Sequence, residues 1–177
     1  ETFTLTVNPV NDSPVLAAVS NVSFNEDSSG SLSLSSSDVD NGDSATFSIS
    51  GGINITTSLS GSDVTFSAPA NFNGSESFTA SVTDGELSDS QSFSVTVAAV
   101  NDAPVAEAGL SGTANEDGSV VITLSGSDID GDNLSFSLDS DATNGSVSIN
   151  GSFATYTPNS NYNGSDSFTF IASDGAL

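Results

Sequence analysis

The chain repeats itself, and the repeat limits what it can fold into. ETFTLTVNPVNDSPV at 1–15 matches QSFSVTVAAVNDAPV at 91–105 without a gap, at an offset of 90 residues. FNEDSSGSLSLSSSDVD at 24–40 matches ANEDGSVVITLSGSDID at 114–130, and NFNGSESFTASVTDGEL at 71–87 matches NYNGSDSFTFIASDGAL at 161–177, both at the same offset. ATFSIS at 45–50 answers NLSFSL at 133–138 after a one-residue slip. A period of about 90 residues is the size of one small domain, so the chain reads as one fold used in series. By phase, residues 1–9 are expected to be the last strand of a preceding repeat, 10–99 a full repeat and 100–177 a second repeat. The second stops at DGAL where the first continues SDSQSFSVTVAAV, so it is expected to lack its last strand. A chain that opens in mid-pattern reads as a piece of a longer array.

Within each unit apolar residues alternate with Ser and Thr. SLSLS (31–35), ATFSIS (45–50), DVTFS (63–67), ESFTASV (76–82) and SFSVTV (92–97) each offer one apolar face. No 3.6-residue stripe of useful length competes with this period-2 pattern, and Val, Ile, Phe and Thr suit strands. NGS at 73–75, 144–146 and 163–165 and DG at 84–85, 117–118 and 174–175 punctuate the runs with residues that tolerate left-handed backbone. Strands at this spacing predict an all-β chain of two tandem seven-strand sandwiches, the second lacking its last strand.

The charge is the second constraint. Twenty-three acidic residues face no Lys, Arg or His, a net charge of −23 in 177 residues. High charge with abundant Ser, Gly and Asn also fits a disordered chain, but 11 Phe set in alternating runs argue for a folded one. Two carboxylates about 4 Å apart repel by roughly 4 kcal/mol at an effective dielectric of 20, so the fold needs cations from outside. Nucleic acid and anionic membrane are poor partners for such a surface, and no stretch approaches the length of a membrane span. Without Cys or His, a bound metal must be hard and oxygen-ligated: calcium, magnesium or manganese. The same absences leave no nucleophile–base pair. Paired carboxylates that recur in each repeat suit a structural role better than glycoside hydrolysis. With no Trp and only Tyr156 and Tyr162, no carbohydrate-stacking platform is visible.

SGSDIDGDNLSFS at 125–137 concentrates the charge, with Asp128, Asp130 and Asp132 at alternate positions beside Gly131. Such aspartates are common solvated turn formers, but without counter-charges a divalent ion, above all Ca²⁺, explains the cluster better. Asp132 either completes a site or faces water. Asp43 holds the same place in the first repeat, after the extra Gly42.

NED before the second strand, SDxD after it, a late DG and the junctions VNDSPV (10–15) and VNDAPV (100–105) resemble the cadherin repeat. More closely, they resemble the cadherin-like repeats of giant bacterial surface proteins and repeats-in-toxin adhesins, over essentially the whole chain. The resemblance implies Greek-key, cadherin/immunoglobulin-like sandwiches with Ca²⁺ between consecutive domains. Carried over by position, the junction ligands are Glu26 from the first unit, Asn101 and Asp102 from the linker, and Asp128, Asp130 and Asp174 from the second unit. The upper site of the first unit is Asn11, Asp12, Asp38, Asp40 and Asp84, and Glu116 stands where a following unit expects a ligand. The family's lower Asp-Arg-Glu loop has no obvious match here; Glu76 and Asp166, just after the corresponding turn, are the residues available to substitute. Pro9 and Ala99 replace the first linker aspartate, which implies fewer ions per junction.

The expected role is that of Ca²⁺-rigidified extender repeats in a secreted bacterial surface adhesin, with neighbouring repeats of the same chain as partners. Two alternatives stay open. One is a module that makes the adhesive contact itself. The other is a filament subunit, in which residues 1–7 complete another copy by β-strand addition, since Phe3, Leu5 and Val7 repeat the alternation of Phe93, Val95 and Val97.

Overall fold

The computed structural model describes residues 1–40 and 44–177. The chain divides into two compact units, Glu1–Val100 and Asn101–Leu177. Among the described residues every regular element is a strand.

The first unit runs β1 (Val15–Leu16), β2 (Val22–Asn25), β3 (Ser29–Ser33), β4 (Ser36–Ser37), β5 (Thr46–Gly51), β6 (Thr56–Ser60), β7 (Asp63–Ser67), β8 (Gly74–Thr83) and β9 (Ser88–Ala98). One sheet is ordered β2-β9-β8-β5 and the other β3-β7-β6, with β1 and β4 forming a short ribbon. The pairings are antiparallel except that β2 lies parallel to β9, with Val22 beside Val95 and Phe24 beside Val97. This is the predicted sandwich.

Alternation builds its core. Phe78, Ala80 and Val82 of β8, Phe93, Val95 and Val97 of β9, and Val64 and Phe66 of β7 all turn inward and are almost completely buried. Phe66 meets Phe78 and Phe93 edge-on, at centroid distances of 5.6 and 6.0 Å. Such aromatic geometry adds to the stabilisation from area burial alone.

The second unit runs β10 (Val105–Ala106), β11 (Val120–Thr123), β12 (Gly126–Ser127), β13 (Ser135–Ser140), β14 (Gly145–Asn150), β15 (Phe153–Pro158) and β16 (Thr169–Ser173). Its sheets are β11-β15-β14 and β13-β16, with the ribbon β10-β12. These elements repeat β1 and β3–β8; β2 and β9 have no counterpart among the described residues. The reason is visible in the ladders. Residues 74–77 of β8 pair only with β9, whereas its remainder also pairs with β5. Without a β9 equivalent, residues 164–168 and 112–115 have no strand to bond and carry no ladder of their own.

The two units also trade volume in one place. A Cβ on Gly30 would lie 2.5 Å from Phe24 Cδ1 and 2.9 Å from Val22 Cγ1. At the same offset the second unit has Val120 facing Gly112, where a Cβ would lie 2.8 Å from Val120 Cγ2. Small-against-large became large-against-small, which conserves packed volume.

Candidate metal centres

Each unit gathers aspartates on equivalent loops, around the β8–β9 hairpin in the first unit and around the end of β16 in the second. In the first unit, the Asp40 N–H donates to Asp38 Oδ1 at 2.9 Å, and the Asp12 N–H donates to Asp40 Oδ2 at 2.7 Å. Asn11 Nδ2 donates to Asp84 Oδ2 at 3.0 Å, while Asp84 Oδ1 accepts from the Glu86 and Leu87 amides. These bonds, the Leu87 amide first, hold the Asp84 carboxyl below its usual range. The SDxD, VND and TDG motifs therefore converge within one unit.

The second unit repeats the network bond for bond. The Asp130 N–H donates to Asp128 Oδ1 at 2.9 Å, the Asp102 N–H to Asp130 Oδ2 at 2.8 Å, and Asn101 Nδ2 to Asp174 Oδ2 at 2.6 Å. The Leu177 amide, Asn101 and the Ala176 amide bring Asp174 down to about 2. Asp132 joins through its N–H, 3.3 Å from Asp128 Oδ1. Carboxylate oxygens of Asp128, Asp130 and Asp132 lie within 4.8 Å of one another. Gly131, at φ 81°, takes the left-handed turn that folds them together. Asp43 lies outside the described residues.

In both clusters one oxygen stands out. Asp38 Oδ2 and Asp128 Oδ2 are buried and accept no hydrogen bond. A buried carboxylate oxygen without a partner is strongly unfavourable unless something else compensates it. The chain has no cationic side chain to do so. An oxygen-only donor set of this size and charge fits a hard divalent ion such as Ca²⁺.

At the opposite end of the first unit, Glu26 is 5% exposed and Oε1 accepts the Val100 N–H at 2.6 Å. The 11 residues of β9 separate this end from the Asp84 hairpin, about 35 Å of strand. In the second unit Glu116 is exposed.

Glu76 is differently engaged. Its carboxylate accepts the N–H groups of Ile53 (2.8 Å), Asn54 (3.0 Å) and Ile55 (3.0 Å), together with Asn54 Nδ2 (2.9 Å). The Asn54 and Ile53 amides lead in lowering it to about 2. Asp166, 90 residues on, clamps the Thr143 and Asn144 amides and accepts the Tyr156 hydroxyl. Desolvation pushes the Asp166 carboxyl up, but the Asn144, Ser167, Tyr156 and Thr143 donors outweigh it and its pKa is lowered. Both residues spend their oxygens closing a loop.

Asp27 and Asp117, at φ 57° and 60°, each accept an amide from a loop distant in sequence, from Asn71 at 3.1 Å and Asn161 at 2.9 Å. Sequence reasoning missed this latch. Its signal was available: Asp and Asn at 27/71 and 117/161 are all four in the left-handed conformation that these residue types tolerate.

Immunoglobulin-like sandwiches in tandem, each with an acidic oxygen cluster, define the class. The sequence profile of the bacterial Ig domain family matches residues 11–96 and 101–177. The chain belongs to that family, with two tandem copies. No curated protein matches the chain. Among solved structures it is similar to human protocadherin-24 EC1-2 (TM-score 0.55, 18% identity, 93% of this chain and 94% of that one). It is similar too to PcdhgB3 EC1-4 (TM-score 0.54, 13% identity, 93% of this chain and 50% of that one). These likenesses show a cadherin-like fold. An endo-fucoidan hydrolase of glycoside hydrolase family 107 overlaps at TM-score 0.43 and 22% identity, and the chain spans only 28% of its length. Bacterial Ig domains are typically extracellular, and no helix among the described residues is long and apolar enough to cross a membrane.

Proposed function

We propose that the chain is a pair of Ca²⁺-stiffened spacer domains from a bacterial surface adhesin, with no catalytic role of its own. The observation that carries this reading is the pair of buried, unbonded oxygens, Asp38 Oδ2 and Asp128 Oδ2, each in an acidic cluster with the same core of hydrogen bonds. Asn11, Asp12, Asp38, Asp40 and Asp84 would hold one ion. Asn101, Asp102, Asp128, Asp130, Asp174 and Asp132 would hold another, with Glu26 assigned by its place in the repeat as the ligand from the preceding unit. Glu76 stays outside the set, because its oxygens already accept four N–H bonds.

A bound Ca²⁺ supplies positive charge and six to eight coordination positions, at affinities of about 10⁻⁴–10⁻³ M in extracellular modules. The chain's own part is geometric. The Asp102 N–H ties the linker to the Asp130 carboxylate, and Asn101 ties it to Asp174, so linker and loop are held in one orientation before any ion arrives. A ligand from the preceding unit would then make the joint stiff. Small-angle scattering with millimolar Ca²⁺ and then with excess chelator tests this. One extended shape with Ca²⁺ and a broad distribution without it is expected. An unchanged profile would refute the stiffening.

A further inference from the structure

The tripeptide Asn-Gly-Ser begins at Asn73, Asn144, Asn150 and Asn163, so these four asparagines share one local sequence. A further Asn–Gly pair, Asn41–Gly42, lies outside the described residues. The fold treats the four unequally. Asn144 is pinned on both sides: its N–H donates to Asp166 Oδ2 at 2.8 Å, and its C=O accepts the Asn159 N–H at 2.8 Å. Gly145 pairs with Pro158 and is crowded by the Tyr156 ring. Gly74 opens β8 opposite Val97 and lies against Phe72, whose Cζ is 3.4 Å from where a Cβ would stand. Gly164 lies against Tyr162, whose hydroxyl is 2.9 Å from the equivalent point and donates to the Ser165 C=O. Asn150–Gly151 is free of such restraint. Asn150 ends β14 and pairs with Phe153 across a two-residue loop, Gly151 and Ser152. Gly151, at φ 61°, takes the first loop position, which a type II′ turn reserves for glycine. Asn150 and Gly151 are exposed, and a Cβ on Gly151 would meet nothing within 4 Å. Among the described residues no group accepts the Gly151 N–H, and none bonds the Asn150 side chain.

We propose that Asn150 is a self-modifying site, which deamidates through a cyclic imide faster than Asn73, Asn144 or Asn163. The Gly151 nitrogen gives its proton to hydroxide and attacks Asn150 Cγ. The Cγ–Nδ2 bond breaks, ammonia leaves with a proton taken from water, and the imide ring closes. Water then opens the ring at either carbonyl, leaving Asp or isoaspartate at 150. In balance, water enters and ammonia leaves. The attack needs the 150–151 peptide to swing out of strand geometry toward the side chain. At a hairpin end this breaks the Asn150–Phe153 pair alone, and strand ends fray at the least cost. At the other three sites further contacts must open first, and each bond of about 1 kcal/mol lowers the open population about fivefold. The first unit has Ser60 before Gly61 at the same place in its β6–β7 hairpin, so it carries no such site. An isoaspartate routes the main chain through the side chain and lengthens the turn. A two-residue loop cannot absorb the extra carbon, so the Ser152 C=O loses its alignment with the Leu124 N–H, now 2.7 Å away. The reaction therefore loosens the β14–β15 hairpin with time. It rests on hydrogen bonding and turn geometry, independently of the ion reading.

Ageing the 177-residue chain in mildly alkaline buffer, with peptide mapping by mass spectrometry at intervals, tests this. Asp and isoaspartate should accumulate at Asn150 at least about fivefold faster than at Asn73, Asn144 or Asn163. In the urea-unfolded chain the four rates should converge, because the local sequence is the same and the protection by the fold is gone. Asn150→Ser, which installs the residue of the first unit, should remove the product at 150 and leave the other three rates unchanged. A folded chain in which Asn73, Asn144 or Asn163 reacts as fast as Asn150 overturns the proposal. So does an Asn150 that stays intact in the folded chain while it reacts in urea, and so do four rates that stay unequal after unfolding, since the fold would not then be their cause.

Discussion

Replacing Glu76 with Gln isolates the loop clamp. The side chain keeps its shape, but the carboxylate that accepts three backbone amides and Asn54 Nδ2 becomes an amide, one end of which is itself a donor. Glu76 falls from an ordinary 4.5 to about 2 in the folded chain. At 1.36 kcal/mol per unit, and discounted for a partly exposed group, the clamp stabilises the first unit by about 1–2 kcal/mol. The sign follows from the depressed pKa. The contribution is complete above the unfolded value of 4.5, declines as pH falls, and is gone below about 2. Urea midpoints of both chains, measured in chelator from pH 7 down to about 2, give the assay. The variant should be less stable at pH 7 and converge on the parent in acid, and amide exchange at Ile53–Ile55 should quicken only in the variant at neutral pH. Repulsion among the other carboxylates is common to both chains and cancels in the difference, which leaves the clamp and the one charge that Gln removes. A gap that is constant with pH refutes the clamp. A variant more stable at pH 7 would show that relief of the −23 charge outweighs the four hydrogen bonds.

Three further outcomes are expected. Asp128→Asn should be neutral or stabilising in chelator, since it removes a buried charge with an unbonded oxygen. The same variant should lose its share of the rise in melting temperature that Ca²⁺ gives the parent, about 1.4 kcal/mol per ion at ten times the dissociation constant. Gly30→Val should cost about 1–3 kcal/mol through its collision with Phe24, and adding Phe24→Ala should recover part of it, read by denaturant midpoints. Phe66→Ala should cost about 3–5 kcal/mol, because it leaves Phe78 and Phe93 without their edge-on partner.

The sandwich was legible because apolar residues alternate with Ser and Thr along β5, β7, β8 and β9, and through the run at 31–35 that overlaps β3. β6 was not, since Thr56–Ser60 offers only Leu59 as an apolar signal, and the two-residue ribbons β1 and β4 fall below any periodic pattern. β8 and β9 extend beyond the apolar runs at 76–82 and 92–97, because ladder bonds continue through flanking Ser, Thr and Gln that carry no hydrophobic signal. At the sites, residue type and the 90-residue offset place Asp38, Asp84, Asp128 and Asp174 on the right loops. They say nothing of which oxygen is buried. Glu76 was legible as a position and not as a clamp, since its donors are backbone amides at 53–55, which leave no mark in a sequence.

The parallel pairing of β2 with β9 has a mechanical consequence. β2 lies near the start of the first unit and β9 near its end, and both run the same way. Tension applied through the chain pulls them in opposite directions along their length. The hydrogen bonds between them are then loaded in shear and must yield together, whereas a hairpin opened from its end unzips one bond at a time. A tether under flow gains from that geometry.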